Sequence, residues 1–198
     1  MTGLYDWNPM PHQLDVTCPA CGKQAVFEFA EIVRIRPKDR EYFKNSKLFD
    51  YRVFQDSCGH NWRGAVYYAG LHGGSSAELR HLPDGYKSEY WAHSPYLYRN
   101  HGLDIGAVRC HSCGVRRKHD LAWSDDAYFK IDYKDQRLWA FDRETAIELR
   151  DYIASPDRGL RRQKGQAFLR HVPTLFKERG ARQTVLKRLD RLLADARQ

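Results

Sequence analysis

The chain has 198 residues, a net charge of +8 and 42% hydrophobic residues, 13% of all residues being aromatic. That is apolar enough for a folded core and excludes an intrinsically disordered chain. No stretch approaches the roughly 18 apolar residues of a membrane helix. The opening MTGLYDWNPMPHQLD lacks the basic patch and apolar run of a secretory signal, so a cytoplasmic location without membrane attachment is expected. In a reducing compartment, five cysteines, an odd number, read as metal ligands rather than as a disulfide framework.

Pro9 and Pro11 interrupt an irregular lead-in over 1–17. From Ala25 to Arg36, Phe27, Phe29, Val33 and Ile35 recur at a spacing of two, which predicts one half-buried strand ended by Pro37. The segments 48–55 and 62–70 predict an antiparallel hairpin turning at Ser57-Cys58-Gly59-His60-Asn61. The stretch 71–104 is broken by Gly-Gly, Pro-Asp-Gly and His-Gly and holds at most one short helix, near Ser76–His81. Strands are expected at Ile105–Arg109, Val115–Trp123, Ala127–Tyr133 and Arg137–Phe141, the last two joined at Lys134-Asp135-Gln136.

Beyond residue 141 the pattern becomes helical. Asp142 is suited to cap RETAIELRDYIA, which Ser155-Pro156 stops. Pro173 opens a short helix closed by Gly180, and Thr184 caps a last amphipathic helix with Val185, Leu186, Leu189, Leu192 and Leu193 on one face. The expected fold is α+β: an antiparallel sheet in a metal-stapled, β-rich part over 1–141, and a helical, basic part over 142–198. Trp123, Phe129, Leu138, Trp139, Ile147 and Ile153 are expected at their junction.

One short pattern occurs twice, Cys18-Pro19-Ala20-Cys21-Gly22 and Cys110-His111-Ser112-Cys113-Gly114. Two residues between cysteines let both thiolates converge on one ion from a tight turn, and the following glycine tolerates the backbone conformation this needs. The pair of knuckles resembles the zinc-ribbon family, in which two such turns at hairpin tips supply four ligands. The resemblance implies one structural zinc on Cys18, Cys21, Cys110 and Cys113 beneath a ribbon-like tip, and it covers only the knuckles and their flanking strands. Here 88 residues separate Cys21 from Cys110, so the ribbon carries a large insertion. Lengthening the loop from about 20 residues costs only about 1.3 kcal/mol, against roughly 10 kcal/mol from structural zinc. Iron fits the same thiolates, but nothing else in the chain points to electron transfer. A rival set joins Cys18 and Cys21 to Cys58 and His60.

His72, His81, His93 and His101 lie in or near 71–104 with Asp84, Glu89 and Asp104, the groups a metal-dependent hydrolase or nuclease would use. No metalloprotease, phosphate-loop, hydrolase or deaminase signature accompanies them, and no catalytic residue is assigned. The charge is more informative. Residues 158–198 carry twelve Lys/Arg and three Asp/Glu, or +9, leaving −1 for residues 1–157. Arg116, Arg117 and Lys118 leave the second knuckle, and Arg158, Arg161, Arg162 and Lys164 form a second cluster. Tyr67, Tyr68, Trp91, Tyr96 and Tyr98 are candidates for stacking on bases. Together these features point to sequence-tolerant nucleic-acid binding. The alternative partner is a protein bound by the apolar stripe of the last helix.

Overall fold

A computed structural model describes residues 10–56, 58–74, 79–91, 96–97, 104–157 and 167–196. The chain is α+β, with antiparallel sheets and helices. Among the described residues no helix is long and apolar enough to cross a membrane. The central sheet has four strands, β2 (Gln13–Thr17), β3 (Gln24–Phe29), β8 (Ile105–Arg109) and β9 (Arg116–Asp120), in the order β2-β3-β8-β9. Its register places Phe27 opposite both Leu14 and Val108. With side chains alternating across the strands, Leu14, Val16, Phe27, Phe29 and Val108 share one buried face.

Two helices cover that face, α3 (Arg143–Ala154) and α4 (Arg179–Asp195), which pack on each other. Leu149, Ile153, Val185, Leu189 and Leu193 are buried in the same cluster as the sheet residues. The hairpin β10 (Lys130–Tyr133) and β11 (Gln136–Trp139) contributes Ile131, Leu138 and Trp139 to that cluster. Trp123, Phe129 and Ile153 are buried as expected, and Ile147 packs against the cluster half-buried. Asp142 caps α3 in a full capping box: its side chain accepts the Thr145 amide at 2.8 Å, and the Thr145 hydroxyl accepts the Asp142 amide at 3.0 Å.

A second, three-stranded sheet of β4 (Glu31–Arg34), β5 (Phe49–Gln55) and β6 (Asn61–Tyr67) has the order β4-β6-β5. One of its faces packs on α1 (Arg40–Asn45) and Trp91 around Phe43 and Phe49; the other packs through Val66 and Phe54 toward Ile105 and Ala107 of the central sheet. The remaining described strands and α-helix are β1 (Met10–Pro11), paired with β7 (Tyr96–Leu97), and the single turn α2 (Ala69–His72).

Several boundaries differ from expectation. The strand expected across 25–36 divides at Ala30, its first part joining the central sheet and its second the three-stranded sheet. Alternate residues 25, 27, 29, 31, 33 and 35 are nonetheless all buried, so the pattern of two runs through the junction. Gly180 and Thr184 do not end or begin helices; both lie inside α4, which starts at Arg179. The segment after Pro173 forms a 3-10 turn over Thr174–Lys177 instead of an α-helix. Of the helix expected near Ser76–His81, residues 76–78 lie outside the described residues and 79–81 are not helical.

Candidate metal centre

The two knuckles are the turns of the β2–β3 and β8–β9 hairpins. Because β3 pairs with β8, with Val26 opposite Arg109, both turns lie at the same end of one sheet. Their backbones match: the Cys18 amide donates to Lys23 and the Gly22 amide to the Cys18 carbonyl, while Cys110 donates to Val115 and Gly114 to Cys110. The glycines sit at φ +75° and +73°, in the left-handed region that closes such a turn without a side-chain clash.

The four sulfurs all lie within 4.8 Å of one another. Cys18 Sγ is 3.7 Å from Cys113 Sγ, and Cys21 Sγ is 3.7 Å from Cys110 Sγ. A tetrahedron with metal–sulfur bonds of about 2.3 Å has edges of about 3.8 Å, so the donor set fits a four-coordinate thiophilic ion. Cys18 and Cys110 are buried against the core, and Cys21 and Cys113 close the outer side. The Ala20 amide points at Cys18 Sγ from 3.4 Å.

The close approach of the four thiols shifts the protonation of Cys18 and Cys113 in opposite directions. Burial opposes ionisation of Cys18, yet the amides of Ala20 and Cys21 and the thiols of Cys110 and Cys21 outweigh it and bring its pKa down to about 6. At Cys113 the Val115 amide favours the thiolate, but burial and the thiols of Cys21, Cys110 and Cys18 push the pKa up to about 12. Four thiolates at this spacing repel one another unless a positive ion lies among them.

The set combining Cys18 and Cys21 with Cys58 and His60 does not form. Cys58 and His60 group instead with Asp56 at the exposed tip of the β5–β6 hairpin. There Asp56 Oδ1 accepts the amides of Cys58 at 3.0 Å and His60 at 2.8 Å, which closes the turn. Beside the main centre, a cleft of about 550 Å³ runs between the knuckles and the end of α4, lined by Lys23, Gln24, His111, Tyr128 and Asp195.

The basic residues after the second knuckle separate. On β9, Arg116 and Lys118 project to one face of the sheet and Arg117 to the other. Lys118 Nζ is 2.7 Å from both carboxylate oxygens of Asp50 and lies over the Tyr68 ring, so its charge is engaged inside the protein. Arg116 and Arg117 are exposed. Arg158, Arg161, Arg162 and Lys164 lie outside the described residues.

Of the aromatics expected to stack on bases, Tyr67, Tyr68 and Trp91 are buried, while Tyr98 and the Tyr96 side chain lie outside the described residues. His72 stacks on Tyr67 with ring centroids 5.2 Å apart, and His81 is exposed. Among the described residues, histidines and carboxylates of 71–104 form no metal-ligand cluster, and His93 and His101 lie outside them. The apolar stripe of α4 is covered, with Val185, Leu189 and Leu193 in the core, so it presents no apolar face to a partner. No protein family, curated protein or solved structure matches the chain.

Proposed function

We propose that this chain is a zinc-stabilised, non-catalytic accessory protein that binds nucleic acid without strong sequence preference. The observation that carries the reading is the convergence of the Cys18, Cys21, Cys110 and Cys113 sulfurs at tetrahedral spacing on one end of a sheet. Four thiolate donors leave no position for substrate or water, which favours a structural ion over a catalytic one, and all-sulfur tetrahedral donors favour zinc. The ion would lock two hairpins whose cysteines are far apart in sequence. The polyanion part of the reading is supported by the exposed Arg116 and Arg117 and by the basic excess of the C-terminal region, to which Arg158, Arg161, Arg162 and Lys164 belong.

Elemental analysis of the purified protein is expected to give one zinc per chain. Cys110→Ser should lose that metal and melt early, whereas Cys58→Ser should retain both metal and stability. Equal metal loss from the two variants would refute the ligand set. A salt titration with mixed DNA and RNA tests the second part, and no binding at low salt would refute it.

A further inference from the structure

The cations of the two sheets are mostly engaged within the protein. Arg36 bonds Asp39 and the Asp84 carbonyl, Arg109 reaches Glu28, Lys118 reaches Asp50, and Arg40 and Lys44 lie over the Tyr51 ring. Arg34 and Arg52, like Arg63, Arg116 and Arg117, have no hydrogen-bond or ion-pair partner among the described residues, although the Arg52 charge also acts on the Tyr68 hydroxyl; what sets Arg34 and Arg52 apart is their placement in one row. Residues 34–63 also carry eight Lys/Arg against four Asp/Glu, a basic unit inside a body that is near neutral as a whole.

The register shows what these two arginines share. Gly64 of β6 stands opposite Arg34 on β4 and opposite Arg52 on β5, so all three form one row across the sheet. The next pair outward, Phe54 opposite Trp62, projects to the same face. Their rings stack with centroids 4.6 Å apart and planes 27° apart. A side chain at position 64 would put its Cβ 2.6 Å from the Phe54 ring and 3.0 Å from the Trp62 ring. Glycine thus lets the aromatic pair lie low across the sheet, with a cation on each side. Phe54 is buried beneath, while Trp62 and Arg52 are half-buried and Arg34 is exposed. Two strand spacings separate the arginines, about 10 Å.

We propose that the end of this face toward the β5–β6 turn, beyond the row where Val66 packs on the central sheet, is a docking surface for single-stranded nucleic acid, with Arg34 and Arg52 on backbone phosphates and the Trp62 ring stacking on an unpaired base. The proposal rests on the nucleic-acid reading above and moves its principal contacts from the knuckle to this sheet. The chemistry selects the ligand. Two guanidiniums without carboxylate partners favour an anion, and a flat ring beside them suits a polymer that alternates anionic groups with planar ones. A duplex keeps its bases stacked and gives Trp62 nothing to meet.

The test is fluorescence anisotropy of labelled twenty-nucleotide deoxythymidine and uridine oligomers, with a mixed-sequence duplex for comparison, across a salt series. Arg34→Ala/Arg52→Ala should weaken single-strand binding at least ten-fold and reduce the salt slope by about 1.4, the loss of two phosphate contacts at about 0.7 each. Trp62→Ala should weaken binding on the order of ten-fold with the slope unchanged, and Trp62→Phe should restore most of it. Lys47→Ala/Arg63→Ala removes the same charge around the opposite face and should change affinity less than three-fold. Metal content and circular dichroism establish that each variant is folded.

If the wild type binds but both double variants lose affinity equally, or duplex binds as well as single strand with no effect of Trp62→Ala, this docking face is wrong while the nucleic-acid reading stands. If the folded wild type binds no oligomer at low salt, both fall.

Discussion

Gly106 lies in the β3–β8 ladder that joins the two hairpins carrying the cysteines. It stands on β8 opposite Phe29 of β3, four residues before Cys110. A Cβ built there would lie 2.2 Å from the Glu28 carbonyl oxygen and 2.5 Å from the Phe27 ring. The first neighbour is backbone and the second belongs to a fully buried ring, so neither yields by a side-chain rotation. Relief needs β8 to move about 1 Å away from β3. Overpacking of this kind costs about 3 kcal/mol, and weakening two ladder hydrogen bonds adds about 1 kcal/mol each. Gly106→Ala is therefore expected to destabilise the metal-loaded protein by about 3–5 kcal/mol, lowering the melting temperature by roughly 10 °C for a chain of this size. Because the same movement shifts the second knuckle relative to the first, the variant should also lose metal to a competing chelator sooner than the wild type. Gly114→Ala is the control, since nothing lies within 4 Å of its Cβ and only its left-handed backbone opposes a side chain, for about 1 kcal/mol. The measurement is thermal melting with and without chelator. A Gly106→Ala protein that melts within 1 °C of wild type and holds its metal equally well would refute the reasoning.

Two further outcomes are expected. Asp142→Ala removes the acceptor for the Thr145 amide and half of the capping box, and should cost about 1 kcal/mol in a denaturant titration without changing metal content. Acidification should release the metal and lower stability together: the metal-loaded fold binds up to four fewer thiol protons than the unfolded chain below the ordinary thiol pKa of about 8.5, so its stability rises with pH there and falls as pH drops, by up to about 5 kcal/mol per unit. Melting curves between pH 5 and 8 at fixed total zinc check this, and a metal-loaded protein whose melting temperature is flat over that range would contradict it.

What could be read from the residues and what could not follows from the range of the interactions involved. The knuckles, the β5–β6 hairpin and the Asp142 cap are encoded within a few residues, and each is present where the sequence places it. The division at Ala30 is not encoded locally, because Ala25, Phe27 and Phe29 and then Glu31, Val33 and Ile35 keep the same phase while the strand changes sheets. Gly180 was a plausible helix end by residue type alone, but at the second position of α4 it is exposed and meets nothing within 4 Å. The run Arg116-Arg117-Lys118 reads as one patch until strand alternation divides it and Asp50, 68 residues away, takes the lysine. The same near-neutral sum over 1–157 conceals the basic unit at 34–63.

The long insertion bears on what the metal has to do. β3 leaves the first knuckle and β8 returns to the second, so the chain departs after β3 and re-enters before β8 at the end of the sheet opposite the cysteine cluster. The base of that excursion is closed by the Ala30 amide donating to the Ile105 carbonyl at 2.9 Å, next to the β3–β8 ladder. Loop closure is thus met by sheet hydrogen bonds and buried Phe27, Phe29 and Val108 up to Arg109, which pairs with Val26, and only the two turns beyond depend on the thiolates. A metal placed this way fixes the relative position of two hairpin tips that the sheet has already brought near each other. Its binding would stabilise the fold through the knuckles, while the inserted three-stranded sheet keeps its own core around Phe43, Phe49 and Trp91. The cysteine cluster and the Arg34–Arg52 row therefore lie apart along the fold, linked by β3 and β8 and by the packing of the three-stranded sheet on the central one, which includes the Lys118–Asp50 ion pair.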